Sequence, residues 1–170
     1  MKKLFLIFIS VIFMLSGCFT SRIPDELIDK SDENDQKSGL NQVVNPIESV
    51  SDSAALFDAT GISLDAPEAA EDVSYAVIGG VVAQVKFTYA DMNCTLRASK
   101  ETSGQALHGL YYDVESTQQL EIGGIFVTFD SFVGSESALS WEKDGVNFAL
   151  TPSSALDTDT ATALAALFLS

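Results

Sequence analysis

The chain has little histidine, cysteine, proline or positive charge. It carries one histidine, two cysteines, four prolines and nine basic residues in 170. Each scarcity excludes something. One histidine, His108, and two cysteines are too few for a zinc site of the usual four-ligand kind. A Ser-His-Asp triad would have to use His108, which lies in a loop-like stretch where a polar surface role is simplest. Nine basic residues against 24 acidic ones give a formal net charge of −15. Such a surface repels phosphate backbones, so nucleic acid is excluded as a partner. The phosphate-binding G-x-x-x-x-G-K-[ST] and dinucleotide G-x-G-x-x-G patterns are absent. Gly134-Ser135-Glu136-Ser137 lacks the closing glycine of a nucleophile elbow. Asp157-Thr158-Asp159 lacks the twelve-residue loop of a calcium hand, and helix capping accounts for it. No cofactor and no metal are implied. Paired carboxylates would suit a glycosidase, but among 24 acids pairs arise by chance.

Long apolar runs are also missing, with one exception. Lys2 and Lys3 precede an apolar stretch from Leu4 to Leu15, broken only by Ser10. That is the charge-then-apolar order of a secretory signal. The run is shorter than the roughly 20 residues that a spanning helix needs. It ends at Leu15-Ser16-Gly17-Cys18, which resembles the lipobox of bacterial lipoproteins. The resemblance implies that residues 1–17 are removed and that Cys18 carries a diacylglycerol on its sulfur. A single acyl chain holds a protein only marginally, whereas two or more make release slow. Loss of 1–17 removes Lys2 and Lys3 and no acid. Seven basic residues then face 24 acids, and the formal balance moves from −15 to −17. With Cys18 committed to lipid, Cys94 has no intramolecular disulfide partner. It is either a reactive thiol or, more in keeping with its apolar setting, a small buried hydrophobe.

Residues 18–44 are polar and nearly aperiodic, and the block Ser31–Gly39 has nothing with which to build a core. They read as a flexible tether. From residue 45 to 170 the pattern is that of one globular domain. Ser51–Thr60 reads as a helix with Ser51 or Asp52 as N-cap and Gly61 in the left-handed position beyond its end. Four hairpins follow. Val73–Ile78 turns through Gly79-Gly80 into Val81–Tyr89, with no register specified. A turn at Asp91-Met92 would align Tyr89 with Cys94, Phe87 with Leu96 and Val85 with Ala98, and would place Cys94 on the core side. Gly123-Gly124 aligns Ile122 with Ile125, Leu120 with Val127 and Gln118 with Phe129. Asp144-Gly145, the dipeptide favoured by a type I′ turn, aligns Trp141 with Phe148 and Leu139 with Leu150. Lys100–Gly109 is a loop by composition. Asp157–Phe168 closes the chain as a helix with an apolar stripe of Ala161, Leu164, Ala165 and Phe168. The reading is α+β. An antiparallel sheet of about seven or eight strands is built from successive hairpins, with a short N-terminal helix and a C-terminal helix packed on one face.

The segments YAVIGGVVAQVKFTY, GLYYDVE and ALSWEKDGVNFAL, with the closing alanine-leucine helix, resemble a domain of unknown function. It is found in lipoproteins and anti-sigma-type membrane proteins of Gram-positive bacteria. The resemblance spans residues 45–170 and is most specific at Trp141, Asp144, Gly145, Phe148 and Leu150. These are folding residues, so it implies no catalytic residue. With the lipobox, the reading is a lipid-anchored protein on the outer face of the cell membrane, whose domain binds or senses a protein or small molecule without enzymatic chemistry. The alternatives are a carboxylate-dependent hydrolase of wall polymers and a structural subunit of a membrane complex. Among candidate contact residues, adjacent Tyr111 and Tyr112 stand out, because aromatics are enriched at interfaces. On a strand one of the pair would face the core and the other would lie at the surface.

Overall fold

The computed structural model describes residues 47–169. The apolar run at the N-terminus, Cys18 and the tether of residues 18–44 lie outside them. The described residues belong to one compact unit. In chain order they form β1 (Ile47–Val50), α1 (Ser53–Thr60), β2 (Glu71–Ile78), β3 (Val82–Tyr89) and β4 (Met92–Ser99). Then come α2 (Gly104–Leu107), β5 (Val114–Ile122), β6 (Ile125–Phe132), β7 (Glu136–Lys143), β8 (Val146–Pro152) and α3 (Thr158–Leu169). The eight strands make one sheet in the order β1-β2-β3-β4-β8-β7-β6-β5. Every neighbouring pair is antiparallel. The expected α+β architecture is therefore present. Its topology is two four-strand meanders. The first ends at β4; the chain crosses by way of α2 to the far edge, and the second meander returns until β8 lies against β4.

Side chains alternate along strands, so the register divides them between two faces. On one, the core face, Leu96 opposes Leu150, Leu139 opposes Leu150 from the other side, and Trp141 opposes Phe148. Val85, Leu96, Leu139, Leu150 and Val127 are fully buried there. α1 covers the β2–β3 side and α3 the β5–β6 side. Phe168 of α3 sits 6.1 Å from Phe87 and 6.3 Å from Trp141, and Trp141 stacks on Phe148 at 5.4 Å. The centre of the sheet is thus bound to its covering helix by a run of rings. Burial of such side chains contributes roughly 1.5–3 kcal/mol each and is the main source of stability.

The helix ends follow the sequence closely. Asp52 caps α1, accepting from the Ala55 amide at 2.8 Å, and Gly61 adopts the left-handed conformation at φ 65°. Asp157 caps α3, accepting from Thr160 at 2.7 Å. Ala161, Leu164 and Ala165 are buried as the stripe requires, with Leu169 buried deeper than Phe168.

Three features differ from expectation. The β3–β4 turn is Ala90-Asp91, both at positive φ, and not Asp91-Met92. Tyr89 therefore opposes Met92, Phe87 opposes Cys94, Val85 opposes Leu96 and Ala83 opposes Ala98. An unbranched apolar Met gains nothing from the left-handed region, and the earlier turn releases Met92 to pack beside Tyr89. The displacement keeps every residue on its expected face, so Cys94 still points into the core. Second, β1 pairs with β2 ahead of α1. Four residues are too few for a strand period to stand out. Third, the stretch Lys100–Gly109 contains α2, seated on the opposite, loop face of the sheet against β8, β4 and β7. A Cβ on Gly104 would lie 2.9 Å from the Ser140 Cβ, so only glycine lets this turn come so close.

Candidate functional site

The loop face carries most of the sheet's polar side chains, with Phe126 and Val114 exposed among them toward the β5 edge. Gln84 lies opposite Arg97, Arg97 opposite Ala149, and Ser140 opposite Ala149. The small residues Ala149, Ala138 and Ser140 make room for α2, whose Leu107 is buried among them. Beyond α2 the chain runs through residues 108–113 before entering β5. This short loop is held at several points. The Arg97 guanidinium donates to the Leu107 carbonyl at 2.9 Å and to the Gln84 side-chain oxygen at 2.9 Å. Thr151 donates its hydroxyl to the His108 carbonyl at 3.3 Å. The His108 Nδ1 accepts from the Leu110 amide at 2.9 Å, and its ring meets Phe132 edge-on at 5.2 Å. The Val133 amide donates to the Asp113 carbonyl at 3.0 Å. Gly109 is required where it stands: its φ is 72°, and a Cβ would come within 2.6 Å of the Arg97 guanidinium.

The loop fixed in this way projects two tyrosines. Tyr111 is 97% exposed and Tyr112 56%. Neither lies on a strand, since β5 begins at Val114, so the expected division into one buried and one exposed ring is not found. Both rings face solvent because anchoring is supplied by the neighbours, His108, Arg97 and Asp113. The Tyr111 phenol is close enough to the Arg97 guanidinium to support its charge against burial, which pulls the other way.

On the same face, over β2, β3 and β4, lies a groove of about 410 Å³. Asp72, Ser74, Lys86, Thr88, Asn93 and Thr95 line it by their side chains. Phe87 and Cys94 also border it. Their register aims their side chains at the core, so they present main chain here. Asp72 sits in a bulge between Glu71 and Ser74, with φ 52°. Thr88 donates to the Asn93 side-chain oxygen at 3.3 Å, which leaves the Asn93 amide nitrogen outward.

The charge on the loop face is uneven. The six acids before residue 47 leave 18 of the chain's 24 in the described part, facing Lys86, Arg97, Lys100 and Lys143. Among the described residues none of these four cations forms an ion pair. Arg97 is bound to neutral oxygens, and Lys100 donates to the Gly61 carbonyl at 3.0 Å. On the loop face, β3 and β4 bear Lys86 and Arg97, with Glu71 and Asp72 at the outer margin. On this face β5 to β7 bear Glu121, Asp130, Glu136 and Glu142, while Lys143 of β7 alternates to the core face. Asp130 is buried and accepts from the Thr117 hydroxyl, and one oxygen of Glu136 is buried without a partner.

The remaining sequence candidates fall as follows. Cys94 is 2% exposed, and burial pushes its thiol up to about 11, the opposite of the lowered value a nucleophilic cysteine needs. His108 is half-buried rather than at the open surface. Burial, the largest cause, and Arg97 hold its pKa below the ordinary value, against Asp130. Among the described residues no three of His, Cys, Asp and Glu come together as a metal site. No helix there is long and apolar enough to cross a membrane. A second cleft, about 380 Å³, opens on the core face between residues 61–65, the β7–β8 turn and Phe168. Its floor, Leu96 and Phe148, is the seam of the hydrophobic core. The tyrosines were visible in the sequence. The groove was not, because it takes residues from three strands that only the register brings together. Comparison with protein-family models, curated proteins and solved structures finds no match.

Proposed function

We propose that this chain is a lipid-anchored protein of the outer face of a cell membrane, whose domain is a non-enzymatic binding module reading its surroundings through the Tyr111–Tyr112 loop. The observation that carries the reading is the contrast within that loop. Its two rings are exposed, while its backbone is tied down by Arg97, Thr151, His108 and Val133. Exposed aromatics on a pre-ordered loop offer a large contact area at little entropic cost on binding. The anchoring part of this reading rests on Leu15-Ser16-Gly17-Cys18, which resembles the lipobox of bacterial lipoproteins. The single half-buried histidine, with its Nδ1 engaged, and the protonated thiol of Cys94 support binding over catalysis.

The test of the anchor is mass spectrometry of the membrane fraction with the parent chain and Cys18→Ser. The parent should carry a diacylglycerol adduct on an N-terminal Cys18, and the variant should leave the membrane pellet. An unmodified Cys18 in a parent that still sediments with membranes overturns the anchor. The test of the surface is proteolytic shaving of intact cells, with the cut sites mapped by mass spectrometry. Peptides from this domain should be released without lysis; release only after lysis overturns the outer location.

A further inference from the structure

The two edges of the sheet differ in what they leave open. β1 ends it with four residues and β5 with nine, and among the described residues β5 pairs with β6 alone. Natural sheets close such edges by keeping them short, or by placing lysine, proline or a bulge on them. β5 has neither lysine nor proline, and its bulge, between Val114 and Ser116, leaves the rest of the strand regular. The two-residue turn at Gly123-Gly124 makes Ile122 and Ile125 a hydrogen-bonded pair, so Leu120 and Gln118 also turn their main chain to β6. Thr117, Gln119 and Glu121 therefore turn their N–H and C=O groups outward. Their neighbours do not cover them. Thr117 donates its hydroxyl to Asp130 and Gln119 its side-chain amide to Thr128, both on β6, while Gln118 accepts from Thr158 of α3. The edge is a row of main-chain donors and acceptors in water, with Leu120 and Ile122 half-buried along its core-face side.

Charge selects what can join it. Residues 101–169 include ten Asp or Glu and a single Lys or Arg, Lys143. Glu115 and Glu121 lie on the edge itself, and Asp157 and Asp159 flank the Thr158 that touches it. A second copy would oppose acid with acid, since antiparallel pairing centred on Gln118 sets Glu115 against Glu121 twice. The chain's own residues 18–46 carry six acids against Arg22, Lys30 and Lys37, so they too are repelled. A basic strand is attracted. Its pattern follows from the pleat: side chains beside Glu121 project on the loop face, and those beside Leu120 and Ile122 on the core face.

We infer that the outer edge of β5, from Ser116 to Ile122, is a docking site for an extended segment of a basic protein. The segment adds a strand to the sheet, with basic side chains on the loop face and apolar ones on the core face. This surface goes beyond the tyrosine loop and does not depend on it.

The experiment is amide hydrogen exchange, read by NMR, on the full-length chain in detergent micelles. The probe is a peptide alternating lysine and valine, and the control is one alternating glutamate and valine. The lysine peptide should slow exchange at Thr117, Gln119 and Glu121 about tenfold or more, and should leave Gln118 and Leu120, already bonded to β6, nearly unchanged. The glutamate peptide should protect none of them. Gln119→Pro removes one outward N–H and should abolish protection at Thr117 and Glu121. Glu121→Lys leaves the main chain intact and should weaken the lysine peptide's protection; as an exposed side chain it keeps the test decisive if proline disturbs the strand. Circular dichroism matching the parent's identifies the folded variants. No protection by the lysine peptide, equal protection by both peptides, or protection undiminished in Glu121→Lys would each overturn the inference. Protection of the same three amides without peptide would overturn it too. Dependence on protein concentration would then assign the edge to a second copy, and independence of it to the chain's own tether. Failure here leaves the tyrosine-loop reading and the anchor at Cys18 standing, so the outcomes are read separately.

Discussion

The two faces of the sheet are cut from the same eight strands and have opposite tasks. The core face alternates Val85, Phe87, Leu96, Leu139, Trp141 and Leu150, and two helices close over it. The loop face alternates Gln84, Lys86, Thr95, Arg97 and Ser140, and among the described residues the four of α2 and one pinned loop lie on it. Consecutive residues thus serve the core and the outward surface in turn. Phe87 belongs to the aromatic run under α3, whereas Lys86 and Thr88 line a groove. The difference teaches that a half-covered sheet can change its outward chemistry without touching its core.

The sharpest way to break that division is on the core face. Trp141→Ala removes the ring between Phe148 and Phe168 and should lower stability by about 3–5 kcal/mol, read as a large fall in the urea midpoint. A midpoint near the parent's would mean that the aromatic run contributes little. On the loop face, Arg97→Met removes the bonds to Leu107 and Gln84 and should cost about 1.5–3 kcal/mol, typical of hydrogen bonds to a charged group. Its distinguishing sign is local: amide exchange at residues 107–112 should accelerate more than in β3 or β8. Gly145→Val tests the turn without touching either face. A Cβ there meets nothing within 4 Å, so the cost is that of φ 74° alone, about 1–2 kcal/mol. Lys86→Ala should leave stability within about 0.5 kcal/mol, the clearest separation of the two faces.

A pH experiment asks whether Cys94 really belongs to the core face. Its folded pKa is raised to about 11 by burial, from an ordinary value of 9.0. Below pH 9 the thiol is neutral in both states, and its contribution to stability is fully present. Above that the unfolded chain ionises first, so stability should fall as pH rises toward 11. Cys94→Ala should remove this part of the decline in urea midpoints measured at pH 8 and pH 10. Native Cys94 should also react slowly with a thiol reagent at pH 8, and unfolding should accelerate the reaction. Fast native labelling would place it on the loop face.

Much of this was legible in the sequence because it depends on neighbours along the chain. Asp144-Gly145 and Gly123-Gly124 gave hairpin registers that the structure keeps pair for pair, and Asp52, Gly61 and Asp157 marked helix ends. At Ala90-Asp91 the local signal was ambiguous, and the alignment moved while the faces held. α2 left no periodicity in four residues, and the fate of Tyr111 and Tyr112 depended on where β5 begins.

By itself the sequence determined the alternation that makes two faces, the turns that set most registers, the helix caps and the excess of acid over base. These are local or summed properties, fixed by backbone stereochemistry and residue type. Only the tertiary structure decided that β8 closes on β4, that α2 needs the bare Cα of Gly104 above Ser140, and that Arg97 holds the tyrosine loop. Likewise it gathered Asp72, Lys86 and Asn93 from three strands around one groove. Such groupings depend on which distant segments pack together, and that is settled by burial and shape across the whole domain.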